Sequence, residues 1–314
     1  MNSSQVKWGL VSTIKAEAED ILQFAAHHLE AGAHRLFLYL DAPCPKAYPL
    51  LKSHPKIRVT ECGETYWQRQ GRRPAKHQVR QTINATRAYQ RQARDVQWLL
   101  HCDVDEFLWA EPETAAQLAA LPPDVCCARV RPVEALSGGD GTAFKSPLSQ
   151  AAKEADARLP YPEYGAHLKG GFLSHVQGKL FVRTGLNGLE FRIHNAYQHE
   201  QENPGYAELT ETDLCHFHAR DWDHWLAHYR YRLEKGSYRS ELRPAQPRER
   251  GGVTVHELLS AIEAEQGEQG LREFFQEVCA DGPGLRSRLQ ACGLLKIRQL
   301  DLAAKRQKHF PDFG

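Results

Sequence analysis

The chain has 314 residues, of which 41% are hydrophobic, 25% charged and 9% aromatic. These are the values of a globular protein, so they exclude a collagen, a fibre and a disordered tail. Forty basic and 39 acidic side chains leave a net charge of +1, which excludes a global attraction to nucleic acid or to an anionic membrane. Since domains run to about 100–200 residues, the length predicts one large domain or two small ones.

Nothing in the sequence predicts export or insertion into a membrane. No stretch approaches the roughly 20 apolar residues of a spanning helix, and the first residues lack the pattern of a signal peptide. The eight cysteines form no C-x-x-C pair, which argues against a zinc ribbon. We therefore expect a cytoplasmic protein with reduced thiols, and a peripheral contact with the inner membrane stays open.

Strand and helix patterns alternate over the first 110 residues. In chain order, the predicted strands are 6–14, 35–40, 57–60 and 98–102, and the predicted helices are 17–31, 46–53 and 76–93. This alternation predicts a parallel sheet covered by helices. Ligands of such sheets bind at the carboxyl ends of the strands, so we expect the loops that follow the four strands to lie on one edge.

The patterns after residue 120 are less regular. The predicted elements are a strand at 126–133, a hairpin of 172–183 with 189–194, a strand at 214–218, and helices at 221–234, 254–280 and 284–308. A polar stretch begins at residue 236, and the patterns after it are helical. They predict a helical C-terminal extension over 236–314.

The sharpest local signal is acidic. Asp103 and Asp105 directly follow the apolar strand WLLHC, and Glu106 adds a third carboxylate. Three carboxylates within four residues repel one another unless a cation or hydrogen bonds hold them. Hard divalent cations prefer oxygen ligands and often share their remaining sites with phosphates. The pattern predicts a site for Mn²⁺ or Mg²⁺ at Asp103 and Asp105. The alternative is an acidic turn that caps the next element.

A basic segment lies between Glu64 and Asp95, where no acidic residue stands. Its members are Arg69, Arg72, Arg73, Lys76, Arg80, Arg87, Arg91 and Arg94. The earlier ones follow the third strand, where arginines can hold a diphosphate through paired hydrogen bonds. For Arg87, Arg91 and Arg94, we favour a solvated basic face instead. The chain has no matching basic stripe elsewhere, so we expect no nucleic-acid partner.

Two further groups can carry chemistry. His216 and His218 share one side of a predicted strand, and we expect His216 to lie in the active cleft, where it completes a metal shell or donates a hydrogen bond to the diphosphate. With sixteen histidines in the chain, chance pairs are the alternative. Lys179 and Arg183 share one strand face, and Lys179 is a candidate phosphate contact, with an ordinary strand-edge charge as the alternative.

Several segments resemble the glycosyltransferase family 2-like enzymes, which are related to family 92. The opening VSTIKAEAEDILQFAAHHLEAGAHRLFLYLDAP carries the family's positions Lys15, Glu17, Gly32 and Asp41, with Ala16 where Asn is usual. The later blocks that resemble the family are the helix with Gln81 and Asn84, WLLHCDVDEFLW, GKLFVRTGLNGLEFRIHNA and LCHFHARDWDHWLAHYRYR. Together they cover residues 6–235.

The resemblance implies an α/β fold of the GT-A type, with a nucleotide-binding, mostly parallel sheet flanked by helices and a helical C-terminal region. It implies a transferase domain over 1–235, followed by the extension at 236–314. The activity it implies is transfer of a sugar from a nucleotide-diphosphate donor, in the first place a UDP-sugar, with Mn²⁺ or Mg²⁺. The acceptor is a saccharide, a lipid-linked group or a protein.

The resemblance also implies roles for single residues. Asp105 would ligate the metal, Asp103 would contact the ribose or the metal's waters, and Glu17 and Asp41 would flank base and ribose. The full donor-binding set is Lys15, Glu17, Asp41, Arg73, Gln81, Asp103 and Lys179, and the candidate general bases of an inverting transfer are Asp221, Asp223 and Glu190.

Two rival functions remain. A phosphatase of the haloacid-dehalogenase type also places D-x-D after an apolar strand. Its motif continues with Thr or Val two residues after the second Asp, where this chain has Phe107. The other rival is a non-catalytic module that binds a nucleotide.

Overall fold

The computed structural model describes residues 6–149, 159–235, 244–245 and 247–313. Its elements up to residue 135 are β1 (Trp8–Ile14), α1 (Ala18–Glu30), β2 (Arg35–Leu40), α2 (Tyr48–Ser53), β3 (Ile57–Glu61), α3 (Glu64–Gln68), α4 (His77–Arg91), β4 (Trp98–His101), β5 (Glu106–Ala110), α5 (Thr114–Ala120) and β6 (Cys127–Ala135). All seven strands and helices predicted for the first 110 residues are confirmed. The sequence analysis missed α3, β5 and α5.

The later elements are shorter and more numerous than predicted. They are β7 (Ala143–Lys145), β8 (Lys179–Arg183), β9 (Leu189–Phe191), β10 (Ala196–Gln198), β11 (Gln201–Glu202), β12 (Tyr206–His216), α6 (Trp222–Lys235), α7 (Val255–Val278), α8 (Pro283–Ala291), β13 (Leu295–Ile297) and α9 (Leu302–His309). The single helix predicted over 284–308 is wrong, because Gly293 adopts φ +66° and strand β13 follows it.

The chain divides into two compact units that alternate along it. Unit 1 comprises Met1–Arg131, Gln177–Leu214 and Leu300–Gly314, and unit 2 comprises Pro132–Val176 and Cys215–Gln299. The predicted domains 1–235 and 236–314 instead follow one another along the chain, and that division stays a prediction.

Unit 1 is built on a mixed sheet whose strand order is β6–β8–β4–β1–β2–β3. Strand β1 is parallel to β2 and to β4, and β2 is parallel to β3, whereas β8 is antiparallel to β4 and β6. The α/β class with a mostly parallel sheet and flanking helices is thereby confirmed. The predicted hairpin of 172–183 with 189–194 is wrong, because β8 is an inner strand of this sheet and β9 pairs with β10.

Helix α1 ends as its sequence predicts. Gly32 follows the last turn at φ +91°. The amide of Ala33 donates to the carbonyl of His28 at 2.9 Å, and that of Gly32 to Leu29 at 3.2 Å. This pair of bonds is a Schellman motif, and it satisfies carbonyls that the helix end would otherwise leave open. The next residues are then directed into β2.

One face of the unit 1 sheet packs against α4. Val11, Phe37 and Leu99 from the strands meet Ala85 and Ala88 of the helix in one buried cluster. Small residues at this contact let the helix approach the sheet closely. The helix is thereby fixed over the strands whose ends carry the predicted site.

Unit 2 has a core of its own, built mainly from helices. Buried Trp225 and Tyr229 of α6 pack with Leu271 and Phe274 of α7, and β7 pairs with β13. Helix α7 begins at a capping box, in which Thr254 and Glu257 each bond the other's backbone amide. The predicted helical C-terminal region is confirmed. Within the described residues, no helix combines the length and the hydropathy that crossing a bilayer requires.

Candidate functional site

The carboxyl ends of β1, β2, β3 and β4 lie together and form the carboxyl edge of unit 1. Backbone hydrogen bonds continue past the strand ends there, from Asp41 to Ile14 at 2.7 Å and from Cys62 to Leu40 at 2.8 Å. Cys102 bonds Val11 in the same way at 3.2 Å. The first residues after β2 and β4 are therefore held in fixed positions on both sides of β1.

Asp41, the first residue after β2, is the buried centre of an ion-pair cluster. A guanidinium nitrogen of Arg73 lies 3.0 Å from one carboxylate oxygen, and Arg80 donates to the other at 2.8 Å. The imidazole of His77 lies 3.6 Å away. Burial alone would raise the pKa of Asp41, but contacts with His77 and Arg80 and the charge of Arg73 outweigh it and lower the pKa.

Asp103, the second residue after β4, has both carboxylate oxygens engaged. The side-chain amide of Gln81 donates to one oxygen at 2.5 Å, and the ammonium of Lys179 donates to the other at 2.5 Å. Three residues of the predicted donor-binding set thus meet here. Lys179 begins β8, which is antiparallel to β4, so the sheet itself carries its side chain to the D-x-D.

Glu106 completes this cluster and was missed as a site residue. It is completely buried, accepts the backbone N–H of Asp103 at 2.9 Å and lies 3.4 Å from the Lys179 ammonium. Burial alone would lower the pKa of Lys179, but the charges of Asp103 and Glu106 outweigh it and raise the pKa. Lys179 is therefore a buried, charged ammonium at neutral pH.

One helix connects the two clusters. Arg80 and Gln81 are consecutive residues of α4, and they bond Asp41 and Asp103 respectively. Asn84, one turn further on, bonds Thr13 of β1 at 3.0 Å and fixes the helix against the sheet. Arg80 was missed as a site residue. The available signal was its place in the basic segment, directly before Gln81.

Two neutral histidines flank Lys179. Burial and the nearby lysine lower the pKa of His101 and of His194 to about 4. The Nδ1 atom of His101 lies 3.0 Å from the carbonyl of Arg192, and that of His194 lies 3.0 Å from the carbonyl of Gly178. A neutral ring can bond a carbonyl only by donating, so we assign the proton to Nδ1 in both rings.

The other predicted donor contacts of unit 1 are more exposed. Lys15 and Glu17 follow β1, and Glu17 stands at the N-cap of α1 without a side-chain capping bond. Within the described part of the chain, neither side chain bonds Asp41 or Asp103. Glu19 and Asp20 occupy the first turn of α1. Their charges, with that of Glu17, make this helix end unfavourable for phosphate.

The predicted general bases lie in both units. Glu190 is a half-exposed residue of β9 that accepts from Arg192 at 2.6 Å in unit 1. In unit 2, Asp221 accepts the backbone N–H of His224 at 2.8 Å and so caps α6, while Asp223 is exposed in its first turn. None of the three is tested as a base, and each stays a prediction.

His216 is a buried residue of unit 2. Its ring contacts those of His175 and His218, with centroids 5.8 and 5.6 Å away. Among the described residues, no group of three or more His, Cys, Asp or Glu side chains could hold a metal ion. The role of His216 as a metal ligand stays a prediction.

The D-x-D offers carboxylate oxygens, which are the donors that a divalent cation prefers. Lys179 offsets part of the negative charge of Asp103 and Glu106. Because Gln81 and Lys179 each bond one oxygen of Asp103, Asp105 is the D-x-D residue that would ligate an ion. Magnesium and similar ions are often bound by one or two carboxylates, with phosphates and water as the other ligands.

Comparisons with known proteins give a distant likeness. No model of a protein family matches the chain, and no curated protein matches it. Among solved structures it is similar to the bifunctional glycosyltransferase WbbM, with a TM-score of 0.30 and 10% identity over 58% of this chain and 32% of WbbM.

The galactosyltransferase LgtC, solved with donor and acceptor sugar analogues, matches at a TM-score of 0.25 and 12% identity. An active-site variant of LgtC matches at 0.28 and 12%. Each LgtC match covers 56% of this chain and 57% of the other. The chain thus spans about a third of WbbM and just over half of LgtC. TM-scores of this size assign neither a family nor an activity to it.

Proposed function

We propose that the chain is a glycosyltransferase of the hexosyltransferase class that binds a nucleotide-diphosphate sugar at the carboxyl edge of unit 1. The observation that carries the proposal is the pair of fixed carboxylates, Asp41 and Asp103, on either side of β1. Their strands are two strand spacings apart, or about 10 Å. That separation matches a ligand with hydrogen-bonding groups at two distant points, as a nucleoside diphosphate has.

The two clusters differ in charge, and the difference orients the ligand. Arg73, Arg80 and Asp41 together carry a net positive charge. The Asp41 side chain is fully buried, so its part is to hold the half-exposed Arg73 guanidinium at this end of the edge. We place base and ribose near Asp41 and Glu17, and the diphosphate toward Asp103 and Asp105. UDP is the nucleotide we propose first.

The exposed part of the basic segment adds a second set of candidate phosphate contacts, on the Asp41 side of β1. Arg69, Arg72 and Lys76 are exposed residues between β3 and α4, and Arg73 is about half exposed. A charged hydrogen bond to phosphate contributes about 1.5–3 kcal/mol. Alanine variants at these positions should weaken binding of UDP more than binding of uridine.

We propose Mn²⁺ or Mg²⁺ as the cofactor, with Asp105 as its protein ligand. A divalent cation there would supply positive charge toward the leaving nucleoside diphosphate. The chain's own contribution is to fix the Asp103 carboxylate through hydrogen bonds from Gln81 and Lys179. For an inverting transfer, a carboxylate must take the acceptor's proton. Glu190, Asp221 and Asp223 stay the three candidates for this role.

Titration calorimetry with UDP tests the proposal. The wild-type chain should bind UDP in Mn²⁺ and bind it much more weakly in EDTA. Replacing Asp41 by Asn removes the charge that holds Arg73 and Arg80 in place, so UDP affinity should fall by about 10–150-fold, since about 1.4 kcal/mol corresponds to a factor of ten. The matched control is Asp95→Asn, which breaks the Arg35 pair at the opposite ends of the strands. It should leave UDP affinity unchanged.

If UDP binds with equal affinity in Mn²⁺ and in EDTA, the proposed metal is wrong. If Asp41→Asn and Asp95→Asn lower the UDP affinity equally, the proposed nucleotide site at this edge is wrong. A product assay on UDP-sugars then separates the rival functions. Release of UDP with transfer of the sugar supports a transferase, release of inorganic phosphate supports the phosphatase, and binding without turnover supports the non-catalytic module.

A further inference from the structure

The amino ends of β1, β2 and β3 lie together, at the opposite end of the sheet from the proposed nucleotide site. The carbonyl of Lys56, directly before β3, accepts from the amide of Leu36 in β2 at 3.0 Å. Arg35 of β2 and Arg58 of β3 both donate to the carbonyl of Pro55, at 2.8 and 3.0 Å. Because β1 is parallel to β2, its first residues reach the same surface. We call this surface the amino edge.

Basic residues from several segments meet at the amino edge. Lys7 directly precedes β1, and Lys52 lies in the last turn of α2. Arg94 follows the end of α4 and precedes Asp95, which accepts from Arg35 at 2.6 Å. Six of the seven basic residues are exposed, and Arg35 is partly buried. The seven are Lys7, Arg35, Lys52, Lys56, Arg58, Arg91 and Arg94.

Little negative charge contacts these side chains. In the part of the chain that the structure describes, Asp95 is the one carboxylate that pairs with any of the seven, and its partner is Arg35. Burial, followed by the positive charge of Lys7, lowers the pKa of His34, although Asp95 lies 4.0 Å from its ring. His34 is therefore neutral at pH 7, and the amino edge is positive without it.

Protection of an exposed strand does not explain these charges. β3 is the outer strand of the sheet, and charged residues on such strands prevent pairing with another chain. Arg58 can serve that purpose. Strand β1 is paired with β2 and β4, however, and β2 with β1 and β3. Lys7 and Arg35 therefore stand at the ends of inner strands, where there is no open edge to protect.

The charge outside the amino edge has the opposite sign. Without the seven basic residues and Asp95, the chain has 33 Lys and Arg against 38 Asp and Glu. Exposed charges act over a screening length of about 8–10 Å at physiological salt, so a flat anionic surface in contact with the amino edge meets mainly its positive side chains. The residues of the amino edge include no aromatic ring on which a nucleic-acid base could stack, which favours lipid headgroups as the partner.

We propose that the amino edge docks on a membrane surface that contains anionic lipids. The exposed lysines and arginines contact the headgroup phosphates. The carboxyl edge lies at the other end of β1, whose seven residues span about 23 Å. It therefore points away from the bilayer and stays open to a soluble ligand. This inference goes beyond the proposed function and does not depend on it.

Co-sedimentation of the full chain with unilamellar vesicles tests the proposal. The chain should bind vesicles of equal parts phosphatidylglycerol and phosphatidylcholine at low ionic strength, and it should not bind vesicles of phosphatidylcholine alone. About 1 M NaCl should release it, because the screening length is then about 3 Å. Equal binding to both kinds of vesicle, or binding that salt does not reverse, would contradict electrostatic docking.

Neutral substitutions locate the docking surface. The triple variant Lys7→Gln, Lys56→Gln and Arg94→Gln should bind the anionic vesicles about 100-fold more weakly, since each basic residue close to an anionic surface contributes about fivefold. The three side chains are exposed and form no ion pair within the described residues, so the variant should have the circular dichroism spectrum and the urea midpoint of the wild type.

A matched control removes the same charge from another surface. Lys169→Gln, Arg248→Gln and Arg272→Gln together neutralise three exposed basic residues of unit 2. This variant should bind the anionic vesicles within about threefold of the wild type. If the two triple variants lose affinity equally, or if the amino-edge variant loses none, the docking surface is wrong.

UDP and nucleic acid give two further readouts. Saturating vesicles should leave the UDP affinity unchanged, because docking and nucleotide binding use opposite edges of the sheet. Competition between UDP and vesicles would show docking through the carboxyl edge and refute the inference. A mixed-sequence DNA duplex that binds at an ionic strength where the vesicles do not would also refute it. If the chain binds no UDP, the proposed function fails, whereas the vesicle titrations still decide this inference.

Discussion

Acid should destabilise unit 1 through His27, a histidine of α1 that is held neutral inside the fold. Its Nε2 atom lies 2.7 Å from the carbonyl of Leu108, and its Nδ1 atom lies 3.4 Å from the ammonium of Lys305. The first contact requires a donor and the second an acceptor, so only the neutral ring satisfies both. Burial, followed by the charge of Lys305, lowers the pKa of His27 from 6.5 to about 4.

The size of the effect follows from the difference between the folded and unfolded pKa values. Below pH 6.5 the unfolded chain binds a proton at His27 and the folded chain does not, so stability is lost as the pH falls from 6.5 toward 4. With about 1.36 kcal/mol for each pKa unit, the loss is about 2 kcal/mol at pH 5 and about 3 kcal/mol at pH 4.

Urea denaturation of the wild type and of His27→Gln at pH 7 and pH 5 measures this contribution. Glutamine can still donate and accept hydrogen bonds but does not titrate. The wild type should therefore lose about 2 kcal/mol more than the variant between the two pH values. The control is His199→Asn, which replaces an exposed histidine at positive φ with a residue that tolerates it. Identical pH dependence of the wild type and His27→Gln would refute the reasoning.

Substitutions at three further positions should lower the free energy of unfolding, two through backbone strain and one through loss of a helix cap. Gly178→Ala should destabilise unit 1 by about 3 kcal/mol or more, because φ is +72° and the new Cβ would lie 1.9 Å from the carbonyl oxygen of Val130. Gly185→Ala, at φ +94° with open space around it, should cost only about 1–2 kcal/mol, and equal losses in urea melts would contradict this. Thr254→Ala removes half of a capping box and should lower stability by about 1 kcal/mol, whereas Thr254→Ser should recover most of that loss.

Strands β1 to β4 and helix α1 could be predicted from the sequence because short, local sequence patterns specify them. Strands β1, β2 and β4 are short, mainly apolar runs, β3 begins with alternating apolar and polar residues, and α1 shows its buried face and its Gly32 cap directly. The D-x-D follows a strand that must be central, so its place at the carboxyl edge follows from topology alone.

The contacts that the sequence did not reveal join residues that lie far apart in the chain. The acidic cluster needed a cation, and sequence reasoning assigned that role to a metal. The structure supplies Lys179, 76 residues after Asp103. Strand β8, which carries it, was predicted as half of a hairpin with β9. Its true partners, β4 and β6, lie far from it in sequence, and no local pattern specifies such a pairing.

The return of the chain to unit 1 after unit 2 affects how the protein can be made. Helix α9 packs against α1, where Lys308 and His309 bond Glu30 at 3.0 and 2.6 Å. A ribosome synthesises α9 only after both segments of unit 2, so α1 lacks this cover while most of unit 1 is already made. Unit 1 therefore completes its packing only after the residues of unit 2 have been synthesised. An expression fragment that stops at residue 235 would lack α9 and leave that face of α1 exposed.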